Sequence, residues 1–162
     1  MVVRSAQQKK ENAMQDMLKK ENVRILPQVD SWQDAVRVAI EPLIAGGFVE
    51  PRYIDGVIEN TFLYGPYYVL APDLALIHAR SEQGVLHRQL AVTLVRKPIR
   101  FSPDGYDVRL LVTLAAEDPK SHTQCLKRLA AIFGDEEVMA AILEAQSCEE
   151  LYGYFIGGTA ED

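Results

Sequence analysis

The sequence predicts a single-domain α/β sandwich, with a mixed β-sheet flanked by helices on both faces. Three observations carry that expectation. Apolar residues recur at helical spacing in the first third of the chain, runs rich in Val, Leu and Thr fill the middle, and helical patterns return in the last third. The runs Leu90 to Val95 and Val108 to Ala115 are apolar almost without interruption, as interior strands covered on both faces are. A chain of 162 residues suits one domain with a sizeable core better than two.

The elements follow in order. Residues 1–22 read as a polar, helix-permissive N-terminal arm with one apolar cluster, Met14, Met17 and Leu18, suited to a loosely held segment or a partner contact. The main domain is expected over residues 23–156, opening with a short strand, Val23 to Leu26, that Pro27 ends. Asp30 or Ser31 can cap the next helix, with Gln33 or Asp34 in the reciprocal capping position. Trp32, Val36, Ala39, Ile40 and Leu43 form its apolar stripe, and Gly46-Gly47 stops it.

Pro51 suits the first turn of a second helix, whose stripe reads Tyr53, Ile54, Val57, Ile58 and Phe62 and which Gly65-Pro66 breaks. Strands are expected at Tyr68 to Ala71 and Leu74 to His78, parted by Pro72-Asp73. The two interior strands come next, then helices at Ser121 to Phe133, Asp135 to Ala145 and Ser147 to Phe155. Residues 157–162 read as a flexible tail.

Charge and composition exclude several classes. With 17 Lys and Arg against 23 Asp and Glu the net charge is −6, which argues against a general nucleic-acid binder or a basic membrane-surface protein. No export signal opens the chain and no stretch reaches the roughly 20 apolar residues needed to cross a bilayer, so a cytoplasmic protein is expected. Cys125 and Cys148 stand far apart, outside any CxxC spacing, and supply neither a disulfide framework nor a zinc cluster. Cys125 reads as core, and Cys148 as a partly exposed residue near a helix start.

Two of the three histidines have suggestive settings. His78 follows Leu74 and Leu76 on an alternating strand and precedes the polar loop Arg80-Ser81-Glu82-Gln83-Gly84. Ligand crevices in open α/β sheets lie beyond the carboxyl ends of strands, so His78 is either a functional imidazole or a structural one. Ser121-His122-Thr123-Gln124 fits a capping box, placing His122 in the first turn of a helix. That end carries partial positive charge and attracts anions, although an exposed polar first-turn residue needs no such role. Joined by the strand Val108 to Ala115, the two histidines can meet in one crevice. A neutral imidazole there could attack phosphorus while a second steadied the phosphoryl oxygens, chemistry that asks mainly for positioning. His87 reads as structural or exposed.

The order of motifs resembles the enzyme IIA component of the bacterial sugar phosphotransferase system, mannitol/fructose type, and within it the L-ascorbate branch. The residues concerned are Val29 to Val36 (VDSWQDAV), Val49 to Tyr53 (VEPRY), Gly65 to Pro72 (GPYYVLAP) and Leu74 to Arg80 (LALIHAR) with Glu82 to Val85. Lys97-Pro98-Ile99, Leu114 to Asp118 (LAAED) and His122 complete the match. The resemblance implies an α/β fold without metal or cofactor, in which His78 accepts a phosphoryl group from phospho-HPr. His78 then passes it to a cysteine of the IIB component, which phosphorylates sugar entering through the membrane IIC component. It makes His122 the helper. Beside that, Arg80 and Ser121 are candidate phosphate ligands and Glu82 a candidate for orienting an imidazole.

Two departures stand out. Ile77 occupies a position where many relatives have Pro, and Asn60-Thr61 stands where the mannitol branch has an Arg-Glu pair. Arg80 is then the nearest cation in sequence, although it can equally point to solvent, and Glu82 can equally be a solvated loop charge. An alternative function is a regulatory module of the same fold whose His78 phosphorylation state is read by a partner protein. A His-ligated metal hydrolase fits poorly, because no HExxH or similar ligand spacing occurs.

Overall fold

The computed structural model describes residues 14–117 and 123–157. Five strands form one mixed sheet: β1 (Leu18–Leu26), β2 (Val69–Ala71), β3 (Asp73–Ile77), β4 (Gln89–Arg100) and β5 (Asp107–Ala115), in the spatial order β1-β4-β5-β3-β2. β1 runs parallel to β4 and β3 parallel to β5, whereas β4 with β5 and β2 with β3 are antiparallel. Among the described residues, 14–17 are helical and five longer helices accompany the sheet: α1 (Trp32–Ala45), α2 (Arg52–Tyr64), α3 (Thr123–Phe133), α4 (Glu136–Leu143) and α5 (Cys148–Ile156).

Strand alternation builds two cores. Leu110, Val112 and Leu114 of β5 face one way, into a core shared with Leu129 of α3, Ile142 of α4 and Phe155 of α5. Leu111 and Ala115 face the other way, against Val36, Ala39 and Ile40 of α1 and Tyr53 and Val57 of α2. Both faces of β4 and β5 are covered, which is why these strands read as unbroken apolar runs. The expected α/β sandwich is the observed fold.

Three helix starts follow the capping rule, while α2 opens at Pro51 without a side-chain cap. Ser31, Asp135 and Ser147 each accept a backbone N–H from the first turn of their helix, all at 3.1 Å. The capping box expected at Ser121 lies outside the described residues.

Two features depart from the sequence reading. The strand expected at Val23 begins at Leu18, residues 14–17 are helical, and Met14, Met17 and Leu18 are buried in the core shared with α3–α5, so this stretch packs against the domain rather than standing off as an arm. Extending backward, β1 gains one further parallel pair with β4, Leu18 opposite Leu90, across a register shift before Val23, and the polar residues between them do not advertise it. Residues 1–13 lie outside the described residues.

The second departure concerns α2. Phe62, expected inside, is 72% exposed; the helix buries the expected Tyr53 and Val57 but adds Gly56, Asn60 and Thr61 to its inner face. Hydropathy favours Phe over Gly, Asn and Thr, but these small and polar residues make close approaches and hydrogen bonds that a bulky ring would prevent. Phe62 rests edge-on to Trp32, with centroids 5.5 Å apart.

Candidate active site

The β3–β5 ladder ends at the pair Ile77 and Thr113, and His78 is the first residue beyond it. From there side chains take over the bonding of the main chain. Tyr67 donates its hydroxyl to the His78 carbonyl. The Ala79 N–H donates to the Tyr53 hydroxyl at 2.9 Å, and that hydroxyl donates onward to the Leu114 carbonyl at 2.9 Å. The Arg80 N–H donates to Gln83 Oε1 at 3.0 Å.

The imidazole is fixed as well. His78 Nδ1 lies 2.7 Å from the Leu76 carbonyl oxygen. A carbonyl can only accept, so the neutral ring carries its proton on Nδ1 and presents its lone pair at Nε2. The ring rests edge-on to Tyr67 at a centroid separation of 5.2 Å. It lines a pocket of about 350 Å³ together with Asn60, Tyr64, Tyr67, Ala79 and Arg80.

Alternation along β3 put His78 on the face of Leu74 and Leu76; the structure corrects this. Those leucines pack toward α3–α5, whereas His78 meets Asn60 and Tyr64 of α2, which packs on the opposite face. The two-residue period holds only while the ladder does, and it stops at Ile77.

Arg80 lines the pocket, with its side chain 58% exposed and paired at 3.5 Å with a still more exposed Glu82. Glu82 thus pairs with Arg80, while the Nδ1 of His78 faces the Leu76 carbonyl. Ser121 and His122 lie outside the described residues. The chain leaves β5 at the same end of the strands as it leaves β3 for His78, because β3 and β5 run parallel.

Four residues beside His78 escaped the sequence reading. Asn60 and Gln83 form a reciprocal amide pair, with Asn60 Nδ2 donating at 2.9 Å and Gln83 Nε2 donating back at 3.2 Å. Asn60 Nδ2 also reaches the Tyr67 hydroxyl at 3.4 Å. Tyr53 is the fourth. The available signal was a pair of polar residues, Asn60 and Thr61, each one turn beyond Gly56 and Val57 on a stripe that is buried. Burial raises the Tyr67 phenol above its ordinary pKa, opposed by the Asn60 hydrogen bond and the positive charge of Arg80. The buried Tyr53 and Tyr68 phenols are pushed up to about 12.

The remaining candidates have bland surroundings. His87 is exposed, Cys148 is half-buried at the start of α5, and burial pushes the Cys125 thiol up to about 12. Among the described residues, no three His, Cys, Asp or Glu side chains gather as a metal site would require, and no helix is long and apolar enough to cross a membrane.

Comparison with known proteins gives this arrangement a family. Residues 16–156 match the family described as phosphoenolpyruvate-dependent sugar phosphotransferase system, EIIA 2. The ascorbate-specific PTS system EIIA component of Shigella boydii is 36% identical over 118 residues, covering 72% of this chain and 77% of the relative. The solution structure of the mannitol-specific cryptic phosphotransferase enzyme IIA CmtB from Escherichia coli superposes with a TM-score of 0.82 at 27% identity, covering 89% of this chain and 98% of that one. The complex of mannitol enzyme IIA with phosphorylated enzyme IIB from Escherichia coli aligns at a TM-score of 0.73 and 25% identity, over 88% of this chain and all (100%) of that one. The family match over residues 16–156, the identity to the ascorbate-specific relative and the shared architecture together show that this chain belongs to the EIIA type 2 family of the sugar phosphotransferase system, whose members are phosphotransferases acting through a phosphohistidine.

Proposed function

We propose that His78 is the phosphoryl acceptor and that it reacts through Nε2. The observation that carries this reading is the hydrogen bond from Nδ1 to the Leu76 carbonyl, which leaves Nε2 as the nucleophilic nitrogen beside the pocket. Its lone pair attacks the phosphorus of phospho-HPr; the N–P bond of the donor breaks and its electron pair returns to the donor imidazole. The phosphorylated His78 ring keeps its Nδ1 proton and carries positive charge, which strengthens the bond to Leu76. A thiolate of the IIB component then attacks phosphorus, forming S–P as Nε2–P breaks.

Arg80 at the pocket supplies positive charge toward the phosphoryl oxygens, and His122, with Ser121 beside it, is proposed as the helper. Phe62, Leu63 and Tyr64, each about 70% exposed (72%, 72% and 68%), give a partner protein an apolar surface next to the pocket, as transfer between proteins requires. By likeness to the ascorbate-specific relatives, the sugar served is ascorbate or a related compound, taken up through a membrane IIC component, and the protein works in the cytoplasm.

The test is phosphorylation by phosphoenolpyruvate with the general proteins of the system. The wild type is expected to give an acid-labile phosphohistidine bonded at Nε2, as read by ³¹P and ¹⁵N NMR, and to pass the group to purified IIB. His78→Ala is expected to abolish labelling; a His78→Ala protein labelled like wild type overturns the assignment.

A further inference from the structure

Residues 78–80 are unusual in that none of the groups anchoring them is a neighbouring strand. The His78 carbonyl is held by Tyr67, the Ala79 N–H by Tyr53 and the Arg80 N–H by Gln83. Two of these anchors are tied to each other through Asn60, which bonds Gln83 reciprocally and donates to the Tyr67 hydroxyl. A line of side chains therefore runs from the loop after β3, across α2, to the carbonyl of the reacting histidine.

We propose that Tyr67 is a positioning residue for phosphoryl transfer, aiming His78 by holding its carbonyl, and that the Asn60–Gln83 amide pair holds Tyr67 in place. This deepens the His78 reading and rests on it. A neutral imidazole in solution exchanges its proton between two nitrogens and rotates freely. Here the Leu76 carbonyl selects the Nδ1–H tautomer only while the ring stays above it. The backbone of residue 78 sets where the ring stands, and beyond Ile77 no ladder restrains that backbone. Tyr67 restrains it twice, through the hydroxyl on the carbonyl and through the ring edge against the imidazole. Its hydroxyl is committed to the main chain, so Tyr67 acts through His78 rather than on the phosphoryl group.

Gly56 supplies independent support. Glycine inside a helix costs about 0.5–1 kcal/mol relative to alanine, so its presence in α2 calls for a reason. A Cβ on Gly56 would lie 3.1 Å from both Cβ and Nε2 of Gln83. The glycine lets Gln83 lie close enough to α2 to pair with Asn60.

The decisive variant is Tyr67→Phe, which keeps the ring and removes the hydroxyl. In the unphosphorylated wild type, ¹⁵N shifts of the His78 ring are expected to show Nδ1 protonated and Nε2 bare; Tyr67→Phe is expected to show a mixture of tautomers. With phospho-HPr as donor, kcat is expected to fall about tenfold while KM stays within about twofold, since misplacement of a reacting group costs rate more than affinity. Gly56→Ala retains every polar group but displaces Gln83, and is expected to slow transfer about threefold without loss of thermal stability. Unchanged tautomers with unchanged kcat in Tyr67→Phe overturn the proposal. If Tyr67→Phe fails to fold, Gly56→Ala decides, and wild-type transfer in that protein overturns it. The ring spectra need no donor protein, so failure here is distinct from failure of His78 to become phosphorylated.

Discussion

The two faces of the sheet are built differently. Toward α3–α5 the core is almost wholly apolar, with Leu74, Leu90, Val92, Leu110, Val112 and Phe155 at its centre and Cys125 among them. Toward α1 and α2 the core is laced with hydrogen bonds. Thr113 Oγ1 donates to the Ala39 carbonyl at 3.1 Å, Thr61 Oγ1 lies 2.9 Å from the Tyr68 hydroxyl, and Tyr53 bridges Ala79 to Leu114. His78 emerges on this second side. Apolar packing is non-directional and tolerates small shifts, whereas a buried hydrogen bond is satisfied in few geometries. The first face stabilises the fold, and the second specifies where one imidazole stands.

Three measurements sharpen or break this contrast. The largest effect is expected from Leu110→Ala, at the centre of the apolar face. It should lower unfolding stability by roughly 2–5 kcal/mol in urea titrations, while the folded protein still accepts phosphate at His78 at the wild-type rate. A large loss of transfer with native stability would reverse the roles assigned to the two faces.

An intermediate effect is expected at alkaline pH. Folding raises the Cys125 thiol from 9.0 to about 12 and the Tyr68 phenol from 10.0 to about 12. The folded state therefore holds these protons where the unfolded state has released them, and stability is complete below pH 9 and falls as pH rises toward 12. Urea midpoints against pH should show the decline starting near 9; Cys125→Ala should remove its early part, and Tyr68→Phe should reduce the part above 10, which the Tyr53 phenol, also pushed up to about 12, shares. A midpoint constant from pH 8 to 11 would contradict the burial of both groups.

The smallest effect is expected at the rim. Lys20 on β1 and Glu149 on α5 form an exposed pair at 2.8 Å. Lys20→Ala should shift the urea midpoint by less than either change above, and the difference should vanish in high salt. A shift as large as that of Leu110→Ala would mean that charge, not the burial of Met14, Met17 and Leu18, seats this part of the chain.

Much of the architecture was legible because its signals are local. Ser31, Asp135 and Ser147 cap helices by bonding residues two or three positions away, and Val, Leu and Thr runs mark β4 and β5 whatever they pair with. The acceptor candidate was legible for the same reason: a histidine closing a short apolar strand before a polar loop is a local pattern. Less local features were misread. Lys19, Lys20 and Glu21 look like arm residues until β4 is alongside, and Phe62 looks like a core residue until Gln83 lies over Gly56.

By itself, then, the sequence determined the layered α/β class, most helix and strand positions, the family likeness and the histidine to examine. Only the tertiary structure decided which ring nitrogen is free, because that depends on a carbonyl two residues back being brought beneath the ring. It also decided what steadies the ring: Tyr67, Asn60 and Gln83 lie 11, 18 and 5 residues from His78 in sequence and meet only when α2 closes over the end of β3. Hydrogen bonds between side chains so separated leave no periodic trace in a sequence, since their partners are chosen by the fold rather than by spacing along the chain.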